Sequence, residues 1–202
     1  MKPLVLLTCA LLSLSAHAAD LVKDVRARLV DAPLVRGRFE QKKTVAGFKK
    51  PLVSKGDFLL ARDQGVLWNT RTPFASTLTL TRKSLSAEQG AGGAAYHLDS
   101  TKEPALAAMN ELLFALLAGD VATLQQRFKV EGALVGPTGW KLELTPTDAG
   151  LARVFKHIRL EGDGYVRQVQ LEETRGDSSV ILFDALAQTP PPDATEAERL
   201  GK

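Results

Sequence analysis

The sequence predicts an α+β fold: one large, curved antiparallel sheet with helices packed against its concave face. Short stretches of alternating apolar and polar residues follow one another with turn residues between them, as in consecutive antiparallel strands. The clearest stretch, 77–81 (Thr-Leu-Thr-Leu-Thr), has one apolar and one polar face. Between an early and a late group of strands, the apolar residues of 103–117 change to helical spacing. A helix laid across the sheet there buries both apolar surfaces.

The N-terminus has the pattern of a cleaved export signal. Lys2 is followed by the apolar run 4–14, which is too short to span a bilayer, and by Ala-His-Ala at 16–18. We expect residues 1–18 to be removed. Cys9 lies in the middle of the apolar run, so its loss leaves no thiol for a disulfide, a nucleophile or a metal ligand.

The rest of the chain suits one domain, 19–188, followed by a polar, proline-led tail, 189–202, that we expect to be disordered. The formal net charge is +3, and removal of Lys2 lowers it by one to +2. That excess is too small for a nucleic-acid-binding protein, which presents a basic stripe to the phosphates. We therefore expect no nucleic-acid partner.

The pattern predicts a helix, about four strands, two helices and about five strands, in that order. The first helix, 20–30, is amphipathic. The early strands are predicted at 35–44, 52–62, 66–70 and 76–82. A flexible loop is predicted at 89–94; Pro104 begins the central helix, and Asp120 caps a short helix, 121–127. The late strands are predicted at 128–134, 140–145, 154–160, 165–173 and 179–185.

Arg62 stands out because it places a charge on an otherwise apolar strand face. Counting by twos, Phe58, Leu60 and Arg62 point to the same side, and residues 63–65 then form the turn. A charged head on an apolar face needs partners or water. The simplest interpretation is that Arg62 ends its strand, lays its stem over the face and puts its head in water.

No catalytic signature occurs in the sequence. It has no nucleophile elbow, no phosphate-binding loop and no zinc-protease motif. Only His97 and His157 remain after cleavage, far apart in sequence, and we expect structural or surface roles for both. The sequence therefore favours a protein that is not an enzyme and that uses no cofactor and no metal.

Two apolar surfaces face each other in this arrangement. The sheet side carries Phe58, Leu60, Leu78 and Leu80, and the helix side carries Met109, Leu112, Leu113 and Leu116. These residues alone leave two interpretations open, a permanently packed core and a cavity for an apolar ligand. Such a cavity would hold an acyl chain by area alone, because each methylene gains about 0.8 kcal/mol on leaving water.

The hairpin around Arg62 also resembles a known family. The resemblance rests first on the spacing of Gly56, Arg62, Trp68 and Pro73. It is the spacing of LolA, a family of periplasmic carriers that shuttle lipoproteins from the inner to the outer membrane. The segment 37–41 (Gly-Arg-Phe-Glu-Gln) resembles the first strand of that family, and 157–171 resembles the late hairpin that closes its sheet.

The resemblance implies an incomplete β-barrel with a helical lid over a hydrophobic cavity. Arg62 falls on the family's arginine, which holds the cavity closed by hydrogen bonds to carbonyl groups of the lid until cargo arrives. The implied cavity residues are Phe58, Leu60, Trp68, Leu78, Leu80, Met109, Leu112, Leu113 and Leu116.

The resemblance further implies a monomer in the periplasm whose cargo is an acylated lipoprotein or another lipid. An inner-membrane release complex would load it, and an outer-membrane acceptor would unload it. Asp63 stands where the best-known carriers have a proline, and the segment after Ala185 is short and polar, without their final strand. Three functions stay open: a lipoprotein carrier, a carrier or static binder of another lipid or acylated intermediate for outer-membrane assembly, and an enzyme acting on lipid or glycan.

Overall fold

The computed structural model describes residues 14–90, 95–99 and 104–201, and for 14–19, 95 and 104–110 it describes the backbone alone. Most of the predicted export signal lies outside these residues, so its cleavage stays a prediction. Across the described residues, no helix is both long enough and apolar enough to cross a membrane.

The described strands form one antiparallel sheet of eleven strands, which confirms the predicted fold class. They are β1 (Leu34–Thr44), β2 (Leu52–Ala61), β3 (Gly65–Thr72), β4 (Ser76–Thr81), β5 (Ser84–Gln89), β6 (Ala95–Asp99), β7 (Phe128–Val135), β8 (Gly139–Pro146), β9 (Phe155–Gly162), β10 (Val166–Glu173) and β11 (Ser178–Ala187). Their order across the sheet is β6-β5-β4-β3-β2-β1-β11-β10-β9-β8-β7. The first and last strands pair at its centre, with Thr44 opposite Ser178. Its edges are β6 and β7, so the sheet does not close into a barrel.

The helices at 14–28, 104–118 and 121–125 pack on one face of this sheet. The described helices are α1 (Leu14–Arg28), α2 (Pro104–Ala118), α3 (Val121–Gln125), α4 (Ala149–Ala152) and α5 (Ala194–Arg199). Val25 of α1, Leu116 of α2 and Leu124 of α3 are at most 4% exposed. They share one apolar core with Phe58 and Leu60 of β2. We refer to α1, α2 and α3 as the helical lid.

The two halves of the covered face are packed to different degrees. In β8 and β9, alternate residues are 2% exposed or less: Trp140, Leu142, Leu144, Ile158 and Leu160. In the other half, Val66 of β3 and Leu80 of β4 are also buried, but Trp68 of β3, Leu78 of β4 and Leu85 of β5 are only half-buried. The interior is therefore sealed near β8 and β9 and looser near β3 to β5.

The structure contains elements that the sequence pattern does not predict. β5 falls in a segment, 84–89 (Ser-Leu-Ser-Ala-Glu-Gln), with only one large apolar side chain. It forms by pairing onto β4, with Leu80 opposite Leu85, and β6 pairs onto it in turn, with Leu85 opposite Leu98. These two strands depend on the neighbouring strand rather than on their own periodicity. α4 likewise lies between the predicted strands 140–145 and 154–160, where the pattern predicts no helix.

Within the predicted tail, residues 194–199 form the helix α5, an element that the sequence pattern does not predict. Asp193 begins α5 with a capping box: the side chains of Asp193 and Glu196 each accept a hydrogen bond from the other residue's backbone N–H. The Glu196 carboxylate also pairs with Arg36 of β1 at 3.0 Å. These contacts fix the start of the helix against the sheet.

The end of α5 is anchored by one apolar side chain. Leu200 is 5% exposed and packs in a second apolar cluster with Leu59, Ala61 and Leu67. Leu59 alternates with Phe58 and Leu60, so this cluster lies on the face opposite the helical lid. The chain therefore packs against the sheet as far as Leu200, beyond the predicted domain end at 188. The composition of the segment does not predict this packing, because a single leucine anchors an otherwise polar, proline-rich stretch.

Candidate functional site

An aromatic cluster occupies the covered face where β1, β2, β3 and β11 meet. The ring of Trp68 stacks on Phe39 with centroids 3.8 Å apart, and Phe58 meets Phe183 edge-on at 5.2 Å. Phe183 also meets Trp68 edge-on at 6.1 Å. Pairing of the strands sets these neighbours side by side, since Phe39 lies opposite Phe183 and Phe58 lies opposite Trp68. Sequence reasoning did not bring Phe39 and Phe183 into this cluster, because that requires the β1–β11 pairing.

The central helix faces this side of the sheet. Leu112 and Leu116 are buried in the common core, whereas Leu113, Phe114 and Leu117 are half-buried against it. This face follows from the helical spacing of its leucines. The side chain of Met109, a predicted cavity residue, lies outside the described residues.

A cavity of about 770 Å³ lies between the helical lid and the end of β2. Its apolar wall consists of Leu29, Val30, Leu60, Phe114, Ala115, Ala118 and Val121. Its charged rim consists of Arg26, Asp31, Arg62, Arg82, Glu111, Asp120 and Arg127. The site therefore combines an apolar wall with charged side chains at its rim, which suits a ligand with an apolar body and a polar end.

The predicted site residues divide into two groups. Leu60 and Arg62 line this cavity, and Phe58 lines a void of about 20 Å³ beside Leu117 and Phe183. The others do not line either of these two cavities: Trp68, Leu80, Leu112, Leu113 and Leu116 belong to the common core or pack against it, and Leu78 is half-buried. That these residues contact bound cargo stays a prediction.

Arg62 lies at the corner where β2 ends. Its backbone N–H donates to the carbonyl of Pro33 at 3.0 Å. Its guanidinium Nη1 donates to a carboxylate oxygen of Asp31. Across the described residues, Asp31 is the one hydrogen-bond partner of the Arg62 side chain. The family resemblance implies carbonyl groups of the lid as partners instead.

The Arg62–Asp31 pair is accessible to solvent. The Arg62 side chain is 43% exposed and that of Asp31 is 88% exposed. Water and salt screen such a pair, which limits its contribution to about 0–1 kcal/mol. The contact links the segment after α1 to the sheet, and it is weak enough for a competing ligand to break.

The other charges of the rim differ in how well they are paired. Arg127 pairs with Glu111 at 3.2 Å, and Asp120 caps α3 by accepting from the backbone N–H of Thr123. Within the described part of the chain, neither Arg26 nor Arg82 forms a side-chain hydrogen bond or ion pair. Sequence reasoning missed Arg82, although it ends an alternating strand just as Arg62 does. The described residues contain no group of three His, Cys, Asp or Glu side chains placed to hold a metal ion.

Among solved structures, one with a TM-score of 0.50 supports this fold. A DUF1329 family protein from Desulfovibrio piger is 13% identical, with a TM-score of 0.50 over 88% of this chain and 94% of that chain. A LolA superfamily protein from Nitrosomonas europaea is 10% identical, with a TM-score of 0.48 over 89% of this chain and 96% of that one.

Comparison of the sequence identifies the family. No curated protein matches the chain. Residues 14–200 match the family model described as outer membrane lipoprotein carrier protein LolA-like. That match includes the strands, the helical lid and the C-terminal helix α5. The chain therefore belongs to the LolA-like family of outer membrane lipoprotein carrier proteins.

Proposed function

We propose that this protein is a periplasmic carrier that binds the acyl chains of a lipoprotein or another lipid between the helical lid and the sheet, and moves them from the inner to the outer membrane. Membership of the LolA-like family supports a lipid- or lipoprotein-binding carrier rather than an enzyme. An inner-membrane complex would load the carrier, and an outer-membrane acceptor would receive its cargo.

The observation that carries the proposal is the cavity beside Leu60. Its volume of about 770 Å³ falls within the range of small-molecule sites, about 300–1,000 Å³. Phe114 and Leu29 of the lid supply much of its apolar wall. An acyl chain placed there gains about 0.8 kcal/mol for each methylene removed from water.

A bound acyl chain would extend from the cavity along the looser half of the interior. From Leu60, the half-buried side chains of Trp68, Leu78 and Leu85 continue the covered face across β3, β4 and β5. These side chains lose less packing when the lid moves than the sealed residues of β8 and β9 do. Loading would therefore separate the lid from β3 to β5 and leave the other half intact.

The direct test is native mass spectrometry of the chain exported to the periplasm of a Gram-negative host and purified without detergent. We expect a fraction of the protein to carry an acylated molecule. Phe114→Asp should abolish that fraction while the melting temperature falls only modestly, because Phe114 lines the cavity and is half-buried. Protein that is always empty, and that also fails to bind a fluorescent fatty acid, would contradict the proposal.

A further inference from the structure

Two basic residues lie in neighbouring turns at one end of the sheet. Ala61 lies opposite Gly65, and Gly65 lies opposite Thr81. The turn after β2 and the turn after β4 are therefore neighbours, and they carry Arg62 and Arg82. Both arginines line the cavity of about 770 Å³.

A third arginine approaches from the helical side. Arg26 is in the last turn of α1 and lines the same cavity. A basic residue at a helix C-terminus interacts favourably with the helix dipole, which explains its presence in part. That explanation does not apply to Arg82, which follows a strand.

Each carboxylate of the rim already has a partner. Asp31 pairs with Arg62, Glu111 pairs with Arg127, and Asp120 caps α3. Across the described residues, Arg26 and Arg82 keep their positive charges without a carboxylate partner. The rim thus has four arginines against three carboxylates, and two of these arginines lack an ion-pair partner among the described residues, whereas an acyl chain alone requires no cation.

We propose that the cavity binds an amphiphile whose anionic headgroup, a phosphate or a carboxylate, is held by Arg82 and Arg26 while its acyl chain lies against Leu29, Leu60 and Phe114. This inference rests on the proposed function and specifies the class of its cargo. A guanidinium presents forked donors that match the oxygens of a phosphate or carboxylate. An anion at the rim also competes with Asp31 for Arg62, so that headgroup binding loosens the contact between the sheet and the segment after α1.

The test compares two ligands that differ only in the phosphate: 1-palmitoyl lysophosphatidic acid and 1-monopalmitoylglycerol, each titrated below its micellar concentration into the purified chain. We expect the phosphate to tighten binding at least about tenfold in low salt, since hydrogen bonds to charged groups are the strong ones. Arg82→Gln with Arg26→Gln should reduce this preference to about twofold or less, and Arg82→Gln alone should give an intermediate value.

Lys83→Gln is the matched control, because it removes the same charge one residue away from Arg82 but does not line the cavity. It should keep the full preference, and both arginines are exposed, so their replacement should leave the melting temperature unchanged. Equal binding of the two ligands to the wild type would overturn the inference and leave the carrier function standing. Failure of both to bind would refute the carrier function itself.

Two further outcomes bear on the headgroup alone. A double variant that keeps the full preference would show that the phosphate lies elsewhere and would overturn the inference. Inorganic phosphate should bind far more weakly than the phosphorylated lipid. Equal affinity for the two would indicate an anion site unrelated to the acyl chain and would contradict the inference.

Discussion

Arg62 links three parts of the molecule: the start of β1, the segment after α1 and the cavity. Its backbone N–H binds Pro33 before β1, its guanidinium binds Asp31 after α1, and its side chain lines the cavity together with Leu60. A leucine at this position suits the apolar neighbours and removes the cost of desolvating a charge. We therefore expect the contact to favour the closed form more than it favours the fold.

Replacing Arg62 by leucine should slow the release of cargo. The closed, empty form loses a contact that competes with bound lipid, so the loaded form persists longer. Because the pair with Asp31 is exposed, we expect a decrease in release rate of about two- to fivefold. Asp31→Asn should act in the same direction. The measurement is transfer of a fluorescent fatty acid from the loaded protein to acceptor vesicles.

Arg38→Leu is the control for this experiment. It removes the exposed ion pair between Arg38 and Asp184, at 2.9 Å, which does not line the cavity. Release from this variant should match that of the wild type. Wild-type release from Arg62→Leu as well would show that the arginine is an ordinary strand-end residue.

Asp163 gives the fold a dependence on pH. Burial disfavours its charge, but the backbone N–H of Tyr165 and the Arg167 guanidinium outweigh that effect, so the pKa of Asp163 lies below its usual value. A lowered folded-state pKa stabilises the fold above the ordinary carboxyl pKa, and this stabilisation is lost as the pH falls through the folded-state value. Its size is small, below about 1 kcal/mol, because both partners are partly exposed.

Asp163→Asn should therefore destabilise the protein at pH 7, and the difference from wild type should shrink as the pH is lowered towards 2.5. Urea unfolding at several pH values measures this difference. A gap that stays constant over the whole range would mean that the charge of Asp163 contributes nothing.

Elements with strong periodicity are those that the sequence predicts well. β4 and β8 alternate cleanly, and α2 carries leucines at helical spacing, so their positions follow from the chain alone. β5 and β6 lack such a signal, since they exist because β4 offers an edge to pair with. Pairing partners at long range are set by the whole sheet and cannot be derived from local pattern.

The candidate site was predictable to the same degree. Leu60 and Arg62 follow from strand alternation and from the family resemblance, and both line the cavity. Asp31 and Arg82 could not be placed there, because their nearness depends on where α1 ends and on the pairing of β2, β3 and β4. Local pattern finds the residues of one strand, and strand pairing adds those of its neighbours.

The docking of α5 can be tested as a separate element. Leu200→Ala removes the apolar anchor from a cluster in which it is 5% exposed, so we expect the free energy of unfolding to fall by about 2 kcal/mol. Leu134→Ala is the matched control, because Leu134 is 38% exposed on β7 and should change stability by less than about 0.5 kcal/mol. Equal effects of the two substitutions in urea unfolding would show that the tail does not hold its place on the sheet.

At the scale of the whole molecule, the two halves of the interior are packed to different degrees, and we expect them to have different roles. The sealed half around β8 and β9 holds the fold together by burial of Trp140 and its neighbours. The looser half, β3 to β5, borders the cavity end of the sheet, where the weak contact between Arg62 and Asp31 links the segment after α1 to the sheet. A carrier needs both properties, since one part must stay folded while the other opens.

The two tryptophans report on these two halves. Trp68 is half-buried in the looser half, and Trp140 is 1% exposed in the sealed half with its Nε1 donating to the carbonyl of Asp163 at 2.7 Å. The sequence has no other tryptophan. Bromine atoms on an acyl chain quench only those indole rings that they contact closely, so a brominated fatty acid distinguishes the two sites.

The most direct test of the central claim is therefore quenching of tryptophan fluorescence by a fatty acid brominated in the middle of its chain. The wild type should lose the emission of Trp68, and Trp68→Phe, which leaves Trp140 alone, should show no quenching although it still binds the unbrominated acid. Quenching that persists in Trp68→Phe, or binding without quenching in the wild type, would contradict an acyl chain lying between the helical lid and β3 to β5.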